Sequence, residues 1–357
     1  MKQLLLPVLL VLMMTGCSDD EKTSPGEKDS KFQPVNQNQD IQTLATELEV
    51  PWQINIVEDT VYYLSGRPGE IMSISDGMKQ NQTVAVSKEI VSRTESGLLG
   101  FHIVKGSQPL EAYLYHTYQE DGRLLNRVVK VQKDEDIWEE TDILIEGIPG
   151  GPIHDGGRLA VGPDEKLYIT TGDAGEPDLA QDQESLAGKI LRLNLDGTIP
   201  YDNPFNDSPV YSYGHRNPQG IGWTKDGKMY SSEHGSTDRD EINEIVAGGN
   251  YGWPIIRGDE EREGMIKPIF HSRDDTWAPS GLAISDTKIY VAFLAGKQIR
   301  EFDLDNNTSR TFAEGYGRMR DIAIVDGSLY AITNNTDGRG NPEPEDDRLL
   351  KFPLEDQ

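Results

Sequence analysis

A tyrosine-centred pattern repeats six times along this chain of 357 residues and constrains its fold more than any other feature. Each copy contains a turn with Asp or Gly, a short β-rich run around the tyrosine, and a second run of alternating apolar residues. The central tyrosines are Tyr62, Tyr115, Tyr168, Tyr230, Tyr290 and Tyr330. Alternation with a period of two, bounded by turns, predicts antiparallel strands, and helical periodicity is almost absent.

The second runs of the six copies read EIMSIS, NRVVKV, KILRLNL, DEINEIV, QIREFDL and RLLKFPL. Copies that recur roughly 40 to 60 residues apart are typical of propeller blades. We therefore predict an all-β fold, a six-bladed β-propeller of four-stranded antiparallel blades. A pair of β-sandwiches is the competing architecture, but six similar units favour radial repetition. A strand within residues 43–50 is expected to pair with the last blade, so that no long sheet edge stays exposed.

Two segments precede the repeats. Residues 1–16 combine a charged start with an apolar run too short to span a bilayer, which indicates a targeting signal. The small residues before Cys17, the only cysteine, resemble a bacterial lipoprotein signal, so we predict a lipid on Cys17; an ordinary secretory signal is the alternative. Residues 17–40 are polar and predict a flexible tether. The propeller domain then covers residues 41–357, exported and anchored outside the bacterial cell membrane, or periplasmic.

The chain carries 61 acidic and 34 basic residues, a formal net charge of −27. Such a surface repels polyanions, so no nucleic acid partner is expected, and membrane contact is expected only through the lipid. Basic residues in charge-poor loops are therefore informative, and these are Arg216, Lys297, Arg318 and Arg320. Because a guanidinium binds a carboxylate through paired N–H groups, the cluster predicts a pocket for a ligand with several carboxylates.

Residues 151–253 concentrate polar side chains beside glycine and proline, a composition typical of functional loops. The stretch contains the segments PIHDGGRLAVGP, YITTGDAG, SYGHRNPQG and SSEHGSTDRDEIN. Loops of successive propeller blades converge at one end of a central channel, so these side chains are expected to meet. The alternative is that the Gly, Asn and Asp residues mark turns and the histidines are incidental. Arg158 and Arg192 lie in strand-like runs and are interpreted as structural.

His154 is the best candidate for a general base, because imidazole titrates near neutral pH and can take a proton from a hydroxyl. Asp173, at the end of the next predicted strand, is the candidate to orient it. The run from Gly235 to Glu241, followed by Tyr251, mixes backbone carbonyls with carboxylates, the hard oxygen ligands that suit calcium. Its spacing differs from that of the helix-loop-helix calcium motif, and turn capping by these acids is the alternative.

Six segments carry a resemblance to a known family: HDGGRLAVGPDEKLYITTGDAG, SLAGKILRLNLDGTIPYDNPF, SYGHRNPQG, SEHGSTDRDEIN, GGNYGWP and TWAPSG. They resemble the soluble glucose and sorbosone dehydrogenases, also called aldose sugar dehydrogenases, from about residue 43 to the C-terminus. The resemblance implies a six-bladed propeller that uses pyrroloquinoline quinone (PQQ) and calcium. It also implies oxidation of aldose sugars at the anomeric hydroxyl to the lactone, with electrons passed to an unidentified external acceptor.

The same resemblance implies roles for individual residues. His154 would remove the anomeric hydroxyl proton, Asp173 would orient it, and Arg216 would act in catalysis. The implied cofactor-binding residues are Glu95, His154, Arg216, Asn217, Thr276, Lys297, Arg318 and Arg320. The implied ligands of the cofactor's calcium are the carbonyls of Gly235 and Ser236, and those of a further, structural calcium are Glu241 and the Tyr251 carbonyl.

The sequence departs from the family after GGNYGWP, where many relatives have an aromatic residue near the cofactor. Here the segment reads IIRGDEEREG, and Arg257 or Arg262 is the candidate replacement. Ser236 stands where some members have proline, which matters little if only its carbonyl binds.

Two other functions are compatible with a propeller, because this fold hosts many activities. A non-catalytic propeller that binds a carbohydrate or a protein partner is the main alternative. It has no need of a base, a group of arginines and a run of free carbonyls together. A metal-dependent lactone hydrolase would require carboxylate and Asn ligands at the channel centre, where basic residues are expected instead.

Overall fold

The structure, a computed structural model, describes residues 41–58 and 60–354. The predicted lipoprotein signal (residues 1–16), the lipid on Cys17 and the tether up to residue 40 lie outside the described residues. Within them, regular structure consists of β-strands and one 3-10 helix, Pro177–Ala180. No helix in this described part of the chain is long and apolar enough to cross a membrane.

The strands form six four-stranded blades, and β1 (Gln42–Ala45), which precedes the first blade in the chain, is the fourth strand of the sixth blade. The first blade contains β2 (Pro51–Glu58), β3 (Val61–Gly66), β4 (Glu70–Ser75) and β5 (Met78–Ala85). The second contains β6 (Leu98–Val104), β7 (Glu111–Glu120), β8 (Arg123–Asp134) and β9 (Ile137–Pro149). The third contains β10 (Leu159–Val161), β11 (Leu167–Thr171), β12 (Lys189–Leu193) and β13 (Val210–Tyr213).

The remaining blades follow the same order along the chain. The fourth contains β14 (Pro218–Trp223), β15 (Met229–Glu233), β16 (Glu241–Ile245) and β17 (Phe270–His271). The fifth contains β18 (Pro279–Ser285), β19 (Lys288–Phe293), β20 (Gln298–Asp303) and β21 (Thr308–Glu314). The sixth contains β22 (Met319–Val325), β23 (Ser328–Thr333), β24 (Leu349–Pro353) and β1. Each tyrosine-centred run forms the second strand of its blade, and each second run forms the third.

The blades are arranged in a closed ring. The first strand of each blade contacts the first strand of the next, and β22 of the sixth blade contacts β2 of the first. The first two blades are also joined into one eight-stranded sheet through parallel pairing of their outer strands β5 and β9. This arrangement agrees with the predicted six-bladed propeller.

Closure of the ring uses the N-terminal strand, as the sequence predicts, but the strand is shorter than expected. Strand β1 pairs antiparallel with β24 through Gln42 opposite Lys351 and Thr43 opposite Leu350. The prediction of a strand as far as Val50 is wrong. Glu47 and Val50 have φ values of 52° and 42°, in the left-handed region that an extended strand does not adopt.

Adjacent blades pack through the apolar faces that the alternating sequence creates. The repeated tyrosines themselves lie in these contacts: the ring centroids of Tyr62 in the first blade and Tyr330 in the sixth are 5.6 Å apart. Tyr168 of the third blade packs against Trp223 of the fourth at 5.0 Å between ring centroids. Burial of large apolar surfaces between sheets is the main favourable contribution to such a fold, about 25 cal/mol per Å². The ring of blades therefore forms a rigid support for the loops at its centre.

Candidate active site

A histidine and an aspartate form a hydrogen-bonded pair among these loops. His154 lies between β9 and β10, and Asp173 follows β11 by two residues. Their Nδ1 and Oδ1 atoms are 2.7 Å apart, with the Asp173 side chain fully buried and the His154 side chain 13% exposed. A neutral imidazole that donates from Nδ1 keeps its lone pair on Nε2. The pair therefore has the geometry of a base and its orienting carboxylate, and those roles remain predictions.

Asp173 is held by donors from separate segments. Its Oδ1 also accepts the Gly175 N–H at 2.9 Å, and its Oδ2 accepts the indole N–H of Trp253 at 2.8 Å. The Asp173 N–H donates to the Arg216 carbonyl at 2.8 Å. Sequence analysis missed Trp253 as a contact of this site, although it belongs to the quoted segment GGNYGWP.

Glu95 contacts the backbone of the candidate base. Its Oε2 accepts the His154 N–H at 2.8 Å, and its Oε1 lies 2.8 Å from Arg339 Nη1. Burial raises the pKa of Glu95, but the His154 N–H and Arg339 outweigh burial and leave the pKa below its ordinary value. Glu95 is therefore an anion that fixes the His154 loop. Arg339, in the loop between β23 and β24, is a second residue that sequence analysis missed.

Arg216 lies between the His154–Asp173 pair and the loop that carries His234. Its guanidinium carbon is 5.4 Å from the centroid of the Trp253 ring, and its Nη1 donates to the His234 carbonyl at 3.3 Å. The Arg216 Nε is buried with no hydrogen-bond partner within the described residues. Burial lowers the pKa of Arg216. Asn217 is buried beside it, and its Oδ1 accepts the Gly156 N–H at 3.0 Å.

Two further predicted arginines are buried near the start of the sixth blade. Arg320 donates to Gln219 Oε1 at 2.9 Å and Asn334 Oδ1 at 3.0 Å. Its Nε has no partner within the described residues, and burial lowers its pKa to about 9. Arg318 pairs with Asp337, with Nη2 and Oδ2 3.0 Å apart.

The two arginines interpreted as structural have different surroundings. Arg158 Nη1 lies 2.8 Å from Asp321 Oδ2, and its guanidinium carbon is 4.4 Å from the Trp52 ring centroid. The guanidinium carbon of Arg320 lies 5.9 Å from the centroid of the same ring. Arg158 therefore shares the surroundings of the predicted site residue Arg320. Arg192 instead pairs with two carboxylates, which fits a structural role; these are Asp164 and Asp202.

The carbonyls of Gly235 and Ser236 are candidate cation ligands. Neither carbonyl accepts a hydrogen bond within the described residues, whereas the Gly235 N–H donates to Asp240 Oδ1 at 2.7 Å. Asp240 Oδ2 accepts the Ala278 N–H at 2.8 Å and the Thr276 hydroxyl at 3.4 Å. Asp240 therefore joins the loop of Gly235 and Ser236, called the carbonyl loop, to the segment that carries the predicted cofactor residue Thr276.

Arg257, one candidate replacement for the missing aromatic residue, lies against this carbonyl loop. Its Nη1 donates to Ser236 Oγ at 2.8 Å. Arg262, the other candidate, is exposed. The structure therefore brings Arg257, and not Arg262, into contact with a predicted metal ligand.

The second predicted calcium site centres on a buried carboxylate pair. Glu241 is directly opposite Glu233 in the pairing of β15 with β16. Burial and the Glu233 charge raise the pKa of Glu241 to about 8. The Tyr251 ring stacks on His215 at 4.7 Å, and Nδ1 of that histidine is 2.8 Å from Glu233 Oε2. The described residues contain no cluster of three or more His, Cys, Asp or Glu side chains that could hold a metal, and both calcium sites remain predictions.

Lys297 stands apart from the other predicted residues. It is exposed in the turn between β19 and β20, with φ of 52°. Among the described residues it makes no recorded hydrogen bond or ion pair. The neighbouring Gly296 N–H donates to the Trp277 carbonyl at 2.9 Å, which places the Lys297 turn beside the Thr276 segment.

The donor groups of the site fit a ligand with several carboxylates. Besides Arg158 Nη1, which lies 2.8 Å from Asp321 Oδ2, four buried side-chain nitrogens have no hydrogen-bond partner within the described residues: Arg158 Nη2, Arg216 Nε, His234 Nε2 and Arg320 Nε. Three of these belong to guanidinium groups, which match carboxylates in geometry and charge. Buried donors without partners are costly, so an anionic occupant would stabilise this site.

The model of the Glucose / Sorbosone dehydrogenase family matches residues 48–349. The chain belongs to this family. Among solved structures, it is similar to the PQQ-bound aldose sugar dehydrogenase of Streptomyces coelicolor, with 35% identity and a TM-score of 0.83, over 89% of this chain and 99% of that one. A Thermus thermophilus protein described as a putative oxidoreductase (glucose dehydrogenase) has 36% identity and a TM-score of 0.81, over 88% and 99% of the two chains.

Curated relatives of this family member include quinoprotein glucose dehydrogenase B of Acinetobacter calcoaceticus, 36% identical over 64% of the chain. The match spans only 55% of that relative's length. The aldose sugar dehydrogenase YliI of Escherichia coli is 27% identical over 84% of the chain and 91% of the relative. The predicted family and propeller fold are confirmed. One of these relatives is described as a quinoprotein and one solved structure as PQQ-bound, in agreement with the predicted enzyme class and cofactor.

The His154 loop of this family member allows a stability prediction. Gly172 follows β11, and a Cβ atom there would lie 1.8 Å from the His154 carbonyl oxygen. Gly172→Ala is expected to lower the free energy of unfolding by about 3 kcal/mol and to displace the His154 loop. Chemical denaturation measures the first effect. Gly106→Ala is the control, because a Cβ there meets no atom within 4 Å and costs only the left-handed backbone strain, about 1 kcal/mol.

Asp155 allows a prediction of pH dependence. Its Oδ1 accepts Asn126 Nδ2 at 2.9 Å, its Oδ2 is buried without a partner in the described residues, and burial raises its pKa to about 7 from an ordinary 3.8. The folded state therefore binds this proton more tightly, so stability falls as pH rises from about 4 to about 7. Asp155→Asn imitates the protonated acid. We expect it to raise the free energy of unfolding by about 2 kcal/mol at pH 8, with no gain at pH 4. An equal gain at both pH values would contradict this assignment.

Proposed function

We propose that this chain oxidises aldose sugars at the anomeric hydroxyl to the lactone, with PQQ and calcium as cofactors, and passes the electrons to an external acceptor. The single observation that carries the proposal is the buried His154–Asp173 pair beside the group of partly unpartnered arginines. A base is needed to take the hydroxyl proton, and the arginines supply charge for an anionic cofactor. Membership of the dehydrogenase family supports the same reaction class.

His154 is the proposed base. Because its Nδ1–H is held by Asp173, its Nε2 lone pair remains available for the anomeric hydroxyl proton. The buried Asp173 carboxylate stabilises the imidazolium that forms when His154 takes this proton. Glu95 holds the His154 backbone through the N–H, so that the ring keeps its direction during the transfer. Removal of the hydroxyl proton, together with loss of the anomeric C–H hydrogen and its bonding electron pair as a hydride, converts the cyclic sugar to its lactone.

The residues that would hold PQQ surround this base. Arg216 and Asn217 would contact the quinone, and the residues proposed for its carboxylates are Thr276, Lys297, Arg318 and Arg320. The Gly235 and Ser236 carbonyls would hold the calcium beside it, and Glu241 with the Tyr251 carbonyl would hold a structural calcium. When bound, PQQ would accept the electron pair of the sugar, and calcium would polarise the quinone as a Lewis acid.

The N-terminal sequence supports a proposal for the location of the protein. We propose that the chain is exported and held at the outside of the bacterial cell membrane, or in the periplasm, by a lipid on Cys17. An electron acceptor outside the cytoplasm is required by this arrangement.

Reconstitution of the purified apoprotein tests the proposed function. Dye reduction with a panel of aldoses is expected only after addition of both PQQ and calcium, and chelator is expected to abolish it, because the calcium ligands are mostly neutral carbonyls. Magnesium is the matched control, since its smaller shell and octahedral geometry suit this carbonyl set poorly. Absence of PQQ binding by titration calorimetry at micromolar concentrations would sink the proposal. The channel would then be screened for a carbohydrate or protein ligand that is bound without turnover.

A further inference from the structure

Trp253 contacts two charged residues of the candidate site, Asp173 and Arg216. Its indole N–H donates to Asp173 Oδ2 at 2.8 Å, while Arg216 lies over its ring with 5.4 Å between guanidinium carbon and centroid. The other hydrogen-bond donors to the Asp173 carboxylate, His154 and Gly175, both approach Oδ1. Within the described residues, Trp253 is therefore the one donor recorded for Oδ2.

Trp253 is itself held at several points. The Trp253 backbone N–H donates to the Gly214 carbonyl at 2.9 Å, and the Trp253 backbone carbonyl accepts Gln181 Nε2 at 2.7 Å. Gln181 forms a reciprocal amide pair with Asn250, at 3.0 and 2.9 Å. These bonds join the loop after β11, which carries Asp173, to the loop after β16, which carries Trp253. The indole therefore has a fixed position relative to both blades.

We propose that Trp253 is a positioning residue that holds Asp173 and Arg216 in one arrangement and so tunes the proton affinity of His154. This inference rests on the proposed function of His154 as base. Donation from the indole spreads part of the Asp173 negative charge, which weakens the attraction of that carboxylate for an imidazolium. The aromatic face, which attracts cations, keeps the Arg216 guanidinium beside the same carboxylate.

Other charged groups face the pair and must stay constant in a test. Glu95 reaches it from the loop before β6, Arg216 from the loop before β14, and His234 from the end of β15. Trp253→Phe changes none of these and keeps an aromatic face for Arg216. It removes only the N–H and part of the ring.

The test compares Trp253→Phe with the wild-type protein in kinetics and in the apoprotein. We expect kcat to fall about tenfold with KM changed less than threefold, since orientation of the base is lost while binding groups remain. The acidic limb of the pH profile of kcat/KM is expected to move up by about 0.5 to 1 pH unit. Trp223→Phe is the matched control, because its ring packs on Tyr168 and it has no contact with Asp173 or Arg216 recorded among the described residues.

A measurement on the apoprotein separates this inference from the proposed function. The His154 imidazole is followed by ¹⁵N NMR over pH, with its signals assigned by their loss in His154→Ala. Its titration midpoint is expected to rise in Trp253→Phe and to stay constant in Trp223→Phe, whether or not the protein turns over sugar. A shifted midpoint without PQQ-dependent activity in the wild type would overturn the proposed function while the inferred tuning of His154 stands. An unchanged midpoint in active protein would overturn the role of Trp253.

A second variant covers the case in which Trp253→Phe does not fold. Benzothienylalanine incorporated at position 253 keeps the shape of the indole but replaces its N–H with sulfur. The same shifts in pH profile and NMR midpoint are expected. If kcat falls in either variant while the pH profile and the NMR midpoint both stay unchanged, the role of Trp253 is purely structural. That result would overturn the inference.

Discussion

His154→Ala is expected to lower kcat by about 10³-fold or more while PQQ affinity changes little. The imidazole supplies the only base that the geometry places on the Asp173 carboxylate within the described residues, and general-base catalysis typically contributes about 10² to 10⁴-fold. Binding should persist because His154 is one of eight implied cofactor-binding residues, and the arginines and carbonyls proposed to hold PQQ remain in place. Dye reduction gives kcat, and absorbance titration of the apoprotein gives PQQ affinity.

His102→Ala is the control for the loss of an imidazole. His102 lies in β6 with no hydrogen bond to the site residues recorded, and burial lowers its pKa to about 4, so it is neutral at working pH. Its replacement is expected to cost stability and to leave kcat unchanged. Exogenous imidazole should restore part of the activity of His154→Ala. Normal turnover by His154→Ala would remove the base from the mechanism.

The propeller was predictable because each blade repeats the same local signals. Tyr62 and Tyr168 both lie in second strands, and each makes a ring contact with a neighbouring blade, so the pattern encodes packing as well as strands. The parallel pairing of β5 with β9 was not predictable. It joins the outer edges of two blades through three residue pairs, from Thr83 opposite Ile137 to Ala85 opposite Glu139, and neither run has a sequence signal for its partner.

The sequence predicted the charged residues of the candidate site but not the residues that hold them in place. His154 and Asp173 stood out because an imidazole that titrates near neutral pH is a good general base, a carboxylate can orient it, and convergence of loops brings the two together. Trp253 and Arg339 did not stand out, because an indole beside Pro254 reads as a packing residue and an arginine near acidic residues reads as solvated. Their contacts depend on how separate loops fold back, which no local pattern encodes.

Arg216→Ala is expected to weaken both turnover and cofactor binding, unlike His154→Ala. Four carboxylates act on this guanidinium: Glu95, Asp173, Glu233 and Asp240. Its removal would leave these four carboxylates facing the anionic cofactor without the Arg216 counter-charge. Loss of one charge-assisted hydrogen bond, about 1.5 to 3 kcal/mol, corresponds to an affinity loss of about 10- to 100-fold. We expect kcat to fall by about 10²-fold as well. The Trp253 ring would lose the cation that lies over it, and Asp173 would lose the nearby positive charge.

Two further variants separate charge from shape at this position. Arg216→Lys keeps the positive charge but loses the planar fork, so PQQ affinity should recover more than kcat does. Arg192→Ala is the control for loss of a buried guanidinium, since its partners Asp164 and Asp202 are not predicted site residues. It should lower stability and leave PQQ affinity unchanged. If Arg216→Ala bound PQQ as tightly as the wild type, the arginine would serve only to neutralise its carboxylate neighbours, and the cofactor would have to rely on Arg318 and Arg320.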